Sequence, residues 1–143
     1  MPIDKSLISG STTMLLLKLL TEKDMYGYEM IENLRKKSLD ITEYLMYLID
    51  TRLSKYGFSV GNYREDSKRT GHVALVHEDA IRINAAMKAR NIIPDFRFPN
   101  VIRLAPVPLY ISYTEVYDMV DIIVDIMEKK EYENFANKRG TVA

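Results

Sequence analysis

The stretch "IPDFRFPNVIRLAPVPLY", residues 93–110, decides how this chain folds. Four of the sequence's five prolines fall within it: Pro94, Pro99, Pro106 and Pro108. Proline lacks a backbone N–H and clashes with the preceding turn, so no helix runs through the stretch. It is also too apolar for a solvated linker. Two short strands, "NIIPDF" and "NVIRLAP", around a Pro-Asn turn satisfy both constraints. Alternation along the second strand sets Arg103 on one face with Val101 and Ala105, and Ile102 and Leu104 on the other. A guanidinium in so apolar a setting requires an anionic partner, from protein or from ligand. Its planar fork suits a carboxylate, which it grips through two parallel hydrogen bonds. The alternative use is a structural salt bridge, to Asp95 or Asp118.

Working outward, "SYTEVYDMVDIIVDIMEKK" predicts a helix. Ser112 and Glu115 stand in capping-box spacing, and Val116, Val120, Ile123 and Met127 form an apolar stripe. "HEDAIRINAAMKAR" is a second helix, with acids at its start and Lys88 and Arg90 at its end, as the helix dipole favours. "FSVG" and "HVALVH" are strand candidates, joined by a charged connection, "NYREDSKRTG", expected to be solvated. Before them, Ile41, Leu45, Leu48, Ile49 and Leu53 recur at helical spacing, with Gly57 as the stop. Residues 11–22, "STTMLLLKLLTE", predict a short buried helix capped by Ser11 or Thr12. "KDMYGYEMIENLRKKS" follows, with Asp24 as cap and Met30, Ile31 and Leu34 on one face. That pair has a helix-turn-helix outline, though two packed amphipathic helices without a DNA role give the same pattern. No proline or glycine interrupts the sequence near residue 39, so a long helix is expected to join the two halves. The order of elements predicts an α+β fold, a small and largely antiparallel sheet covered by helices.

Composition narrows the function. A chain of 143 residues suits one domain, or a small domain with an appendage. Hydrophobic residues at 47% and charged residues at 28% are ordinary for a globular protein. The formal net charge of zero speaks against a dominant attraction to nucleic acid or to anionic lipid. There is no cysteine, hence no disulfide frame and no thiolate metal site. "MLLLKLL", residues 14–20, is too short to span a membrane and lacks the flanks of a signal peptide, so the expected address is the cytoplasm. His72 and His77 are the only histidines; five apart on a strand they point to opposite faces, and no metal site is expected. No nucleophile triad and no phosphate-cradling glycine motif is present. Glu65-Asp66 and Glu78-Asp79 mark a loop and a helix start rather than an acid/base pair.

"GHVALVHEDAIRINAAMKARNIIPDFRFPNVIRLAPVPLY" strongly resembles the C-terminal part of kynureninases, and "SYTEVYDMVDIIVDIME" is similar to the last helix of that family. The likeness extends back through "ITEYLMYLIDTRLSKYGFSVGN" and covers about residues 36–143. It implies the small C-terminal domain of a fold-type I pyridoxal-phosphate enzyme, which hydrolyses kynurenine to anthranilate and alanine in tryptophan catabolism and NAD synthesis. The arginine of the family's "NxIR" segment grips the substrate α-carboxylate; that position is Arg103 here. Arg97 is the second substrate-binding candidate, and is equally suited to pair with Asp95 or the last helix. The resemblance assigns no catalytic and no cofactor-binding residue to this sequence, because no lysine here sits in a segment like the family's Schiff-base motif. The expectation is a truncated, kynureninase-like chain that does not bind pyridoxal phosphate or turn over kynurenine alone. Apolar faces left open would drive self-association.

The first 38 residues are similar to something else. "MPIDKSLISGSTTMLLLKLLTEKDMYGYEMIENLRKKS" resembles the start of a PadR-family transcriptional regulator, above all in "LLLKLL" and "YGYEMIE". That implies the first two helices of a winged helix-turn-helix. The family's "GTLYP" recognition helix and basic wing have no counterpart here, and the segment holds six Lys/Arg against five Asp/Glu, a net of +1. DNA binding is therefore not expected. The two resemblances divide the chain into residues 1–38 and 39–143 and give it a chimeric character. A DNA-binding regulator with an α/β sensor domain is the competing reading.

Overall fold

A computed structural model describes residues 17–18 and 27–138 of the chain. The expected helix over 11–22 with its Ser11 or Thr12 cap, and the Asp24 cap, lie outside those residues, apart from Leu17 and Lys18, which are helical. Helix α1 spans Gly27–Leu48 and passes residue 39 unbroken, as the lack of punctuation there predicts. It continues as a π-helical turn, Ile49–Leu53, and a 3-10 turn, Ser54–Tyr56. Two hydroxyls accompany this loosening: Thr51 donates to the Tyr47 carbonyl and Ser54 to the Asp50 carbonyl, offering those oxygens an alternative to the helical ladder. Gly57, at φ 91°, ends the run in the left-handed conformation that a glycine adopts without strain. Ile41, Leu45, Leu48, Ile49 and Leu53 are all buried, so the helical spacing had identified the packed face. The expected face of Met30, Ile31 and Leu34 is corrected: Met30 is buried, Leu34 half-buried, and Ile31 61% exposed, because Ile31 sits about a hundred degrees around the helix from Met30.

Four strands, β1 (Ser59–Val60), β2 (Val73–Val76), β3 (Asp95–Arg97) and β4 (Val101–Leu104), form one antiparallel sheet in the order β1-β2-β4-β3. The architecture is the α+β one that the order of elements predicts. Helix α2 covers Ala80–Ala89, and α3 covers Tyr113–Glu128. On the inner face of the sheet, Val73, Leu75, Ile102 and Leu104 pack with the apolar sides of α1, α2 and α3 into one continuous core. The capping box of α3 is complete: the Ser112 hydroxyl accepts from Glu115 N–H, and the Glu115 carboxylate accepts from Ser112 N–H at 2.7 Å.

Two expectations need correction. "NIIPDF" begins as the end of α2 rather than as strand. Asn91 is left-handed (φ 64°) and Ile92 N–H donates to the Met87 carbonyl, so both residues are spent on closing the helix, and β3 starts only at Asp95. The connection 61–72 is not wholly solvated. Arg69, with 2% of its side chain exposed, donates to the Thr42 hydroxyl, the Arg64 carbonyl and the Leu39 carbonyl, and pairs with Asp66. Arg64 makes a bidentate pair with Asp50 at 2.7 and 2.8 Å. These contacts fasten the loop to α1. Among the described residues no helix is long and apolar enough to cross a membrane.

Candidate functional site

The hairpin of β3 and β4 builds the charged end of the site. Its register sets Asp95 opposite Arg103 and Arg97 opposite Val101, so Asp95, Arg97 and Arg103 share the outer face of the sheet. The Asp95 Oδ2 atom accepts from Arg103 Nη2 at 2.6 Å and from Arg97 Nε at 2.9 Å. One carboxylate thus lies between two guanidinium groups, and the cluster keeps a surplus positive charge. Of the two partners foreseen for Arg103, Asp95 is the one it meets, and Asp95 serves Arg97 as well. The Arg103 side chain is 37% exposed and that of Asp95 48%. Exposed pairs of this kind contribute only about 0–1 kcal/mol, so Asp95 orients Arg103 without locking it against a second carboxylate. Nη1 and Nε of Arg103 donate to no protein group among the described residues, which leaves the fork half unused.

Beside Arg103 opens a cavity of about 380 Å³. Its walls are largely apolar, with Leu45, Ile92, Pro94, Pro106, Val107 and Met119 among them, and its charged groups are Asp95, Arg103 and Glu115. The prolines of the 93–110 stretch therefore stiffen two sides of the opening. A site with one cationic end and an apolar body suits a ligand that carries a carboxylate on an apolar or aromatic frame. Glu115 keeps its negative charge, but its carboxylate is turned to the start of α3, where it accepts from Ser112. Hydrogen bonds from the Ser112 amide and hydroxyl hold its pKa below the usual glutamate value. No lysine lines this cavity.

The two histidines fall on opposite faces of the sheet, as expected. His77 faces the core; its Nδ1 accepts from Asp79 N–H at 2.9 Å, so Nε2 is the donor to the Tyr56 carbonyl, also at 2.9 Å. That makes it a backbone staple. His72 lies on the face of Arg103, with Nδ1 2.7 Å from the Thr70 hydroxyl. Burial, and after it the nearby Arg103 charge, hold the His72 pKa below the ordinary histidine range. Sequence reasoning did not bring His72 to this site. The signal was the pairing of β2 with β4, which sets Ala74 opposite Arg103 and is invisible until the strands are aligned. Among the described residues no cluster of three metal-ligating side chains occurs.

A family model described as the kynureninase C-terminal domain matches residues 34–123. Among curated proteins, the chain is similar to kynureninases of Geobacillus thermodenitrificans (strain NG80-2), at 51% identity over 113 residues, and of Bacillus thuringiensis subsp. konkukian (strain 97-27), at 54%. The kynureninase of Bacillus anthracis is 53% identical over the same length. Each match takes in 79% of this chain and 26% of the relative, so the chain spans about a quarter of the length of the curated relatives it matches.

Proposed function

Because this chain belongs to the family of kynureninase C-terminal domains, we propose that residues 39–143 form a substrate-carboxylate clamp for an L-kynurenine-like amino acid, with Arg103 as the gripping residue. The observation that carries this reading is the half-used guanidinium of Arg103, held by a single exposed carboxylate at the mouth of an apolar cavity. The α-carboxylate would engage the free nitrogens of Arg103, and the aryl ketone would lie along the apolar wall. Arg97 is assigned the secondary part of sharing Asp95, so that Arg103 can turn towards the ligand.

The residues around the cavity do not fit pyridoxal phosphate. The cofactor needs an amine to hold its aldehyde, an acid at its ring nitrogen and several donors for its phosphate. The cavity offers no lysine, and its acids are already engaged by Arg97, Arg103 and Ser112. A clamp alone supplies orientation and not bond cleavage. We therefore propose that these 143 residues, tested by themselves in the cytoplasmic pH range, bind the amino acid and do not hydrolyse it. Absorbance of an internal aldimine on adding pyridoxal phosphate, together with release of anthranilate, would overturn that part.

The clamp is tested by amide NMR on the full chain. L-Kynurenine should shift the amides of residues 102–104, and its decarboxylated analogue should leave them in place. Arg103→Gln should abolish the response. Equal shifts from both compounds would remove Arg103 from the carboxylate role.

The division at residues 38 and 39, and the PadR-like and chimeric character of residues 1–38, remain proposals of the same kind. They rest on the stretches "LLLKLL" and "YGYEMIE" alone; the kynureninase family match itself begins at residue 34, inside the first segment. A regulator would bind promoter DNA with steep salt dependence; absence of binding at low salt removes that reading. Self-association is supported by exposed apolar groups such as Ile93, 86% exposed, and Phe98, 72% exposed. A sharp monomer boundary in sedimentation would contradict it.

A further inference from the structure

We propose that His72 is a second donor of the carboxylate site, one that binds the ligand's anionic group as an imidazolium and so makes binding proton-coupled. The inference rests on the clamp reading above and adds a residue and a regulation to it.

Three observations place His72 there. First, β2 pairs with β4 so that Ala74 faces Arg103 and Val73 faces Leu104. Alternation then puts His72, one residue before β2, on the face of Ala74 and Arg103, diagonal to Arg103. Diagonal neighbours of this kind lie about 7–8 Å apart at the backbone, within reach of long side chains. Second, the imidazole is fixed at one end and free at the other. Nδ1 is bound to the Thr70 hydroxyl at 2.7 Å, the His72 carbonyl accepts from the Asn62 amide, and Nε2 has no protein partner among the described residues. Third, the Thr70 hydroxyl can donate to Nδ1 or accept from it, so the position suits both protonation states without an orphaned group.

The charges facing His72 set the direction of the coupling. Arg103 comes from β4, and behind it stand Arg97 and Asp95 of β3. On its own segment, Arg69 is turned away towards Asp66 and α1, and Lys68 pairs with Glu65. In the free site two guanidinium groups share one carboxylate, and the surplus charge opposes protonation of His72. Arrival of a ligand carboxylate cancels that surplus. His72 then takes up a proton, and by linkage the ligand binds more tightly as pH falls through the histidine range.

With two histidines in the chain, imidazole-nitrogen NMR resolves each ring. Titrations between about pH 8 and about pH 5 would be run without and with L-kynurenine, on the native chain and on His72→Gln. The expected result is a rise of roughly one unit in the His72 midpoint on binding, with His77 unmoved, and a gain of about tenfold in affinity across the range. His72→Gln should flatten that pH profile, its unchanged His77 signal reporting an intact fold. If kynurenine shifts residues 102–104 in an Arg103-dependent way while the His72 midpoint stays fixed, or the profile survives in His72→Gln, the inference fails and the clamp stands. If no Arg103-dependent shift appears, both are overturned.

Discussion

The two faces of the four-stranded sheet are made from alternate residues of the same strands, and they behave as different materials. The inner face carries Val73, Leu75, Ile102 and Leu104, each at most 4% exposed and packed under three helices. The outer face carries Ala74, Val76, Val101, Asp95, Arg97 and Arg103, all half-buried or exposed. Inner positions are specified by packing, where one methyl is felt. Outer positions are specified by charge, in a setting where ion pairs contribute little to stability. Stability and ligand recognition are therefore separable here, residue by residue.

The sharpest way to break that comparison is one substitution at two neighbouring residues. Ile102→Thr removes buried methyl volume and places a hydroxyl among apolar neighbours; it should cost about 2–3 kcal/mol. Val101→Thr, on the outer face, should stay within about 0.5 kcal/mol. Urea unfolding of both proteins checks this, and equal losses would mean that the outer face is packed as tightly as the core.

Next in size is the connection 61–72. Arg69→Met would leave the Leu39 and Arg64 carbonyls without their guanidinium donor, at a cost of about 2 kcal/mol. Faster amide exchange should be confined to the loop and the adjoining turns of α1. The cap of α3 ranks third: Ser112→Ala removes the acceptor for Glu115 N–H and should cost about 1 kcal/mol by urea unfolding.

Much of this was legible in the sequence. The helix spacings over 41–53 and 112–127, the capping box and the strand alternation around Arg103 follow from local rules that packing here reinforces. The misread parts depend on contacts distant in sequence. Arg69 is buried because Thr42 and Leu39, some thirty residues earlier, offer it partners, and nothing in "NYREDSKRTG" says so. Ile92 looked like strand because its β propensity is high, yet its N–H closes α2. Asp95 was foreseen as a partner of each arginine separately; that one oxygen serves both required the hairpin register. The place of His72 beside Arg103 required the β2–β4 pairing in the same way.

The smallest expected effect tests the outer face through pH alone. His72 has its folded pKa lowered, chiefly by burial and then by Arg103. The unfolded chain therefore binds the proton more readily, and the contribution of this residue is complete above the unfolded value of about 6.5. It is lost as pH falls from there through the lower folded pKa. Arg103→Gln removes the repelling charge, so the His72 midpoint should rise and the stability slope between about pH 7 and about pH 5.5 should become shallower. The carboxylates act in a separate window. Arg64 holds Asp50 low, Lys129 and then Arg90 hold Asp125 low, and Arg90 does the same for Glu131. Their contributions are present above the ordinary carboxylate range and vanish as pH falls through the depressed values, whatever residue stands at 103. Stability measured by urea against pH should thus show two descents, of which only the upper one responds to Arg103→Gln. An upper descent of unchanged slope in the variant would mean that His72 does not sense the outer-face cluster.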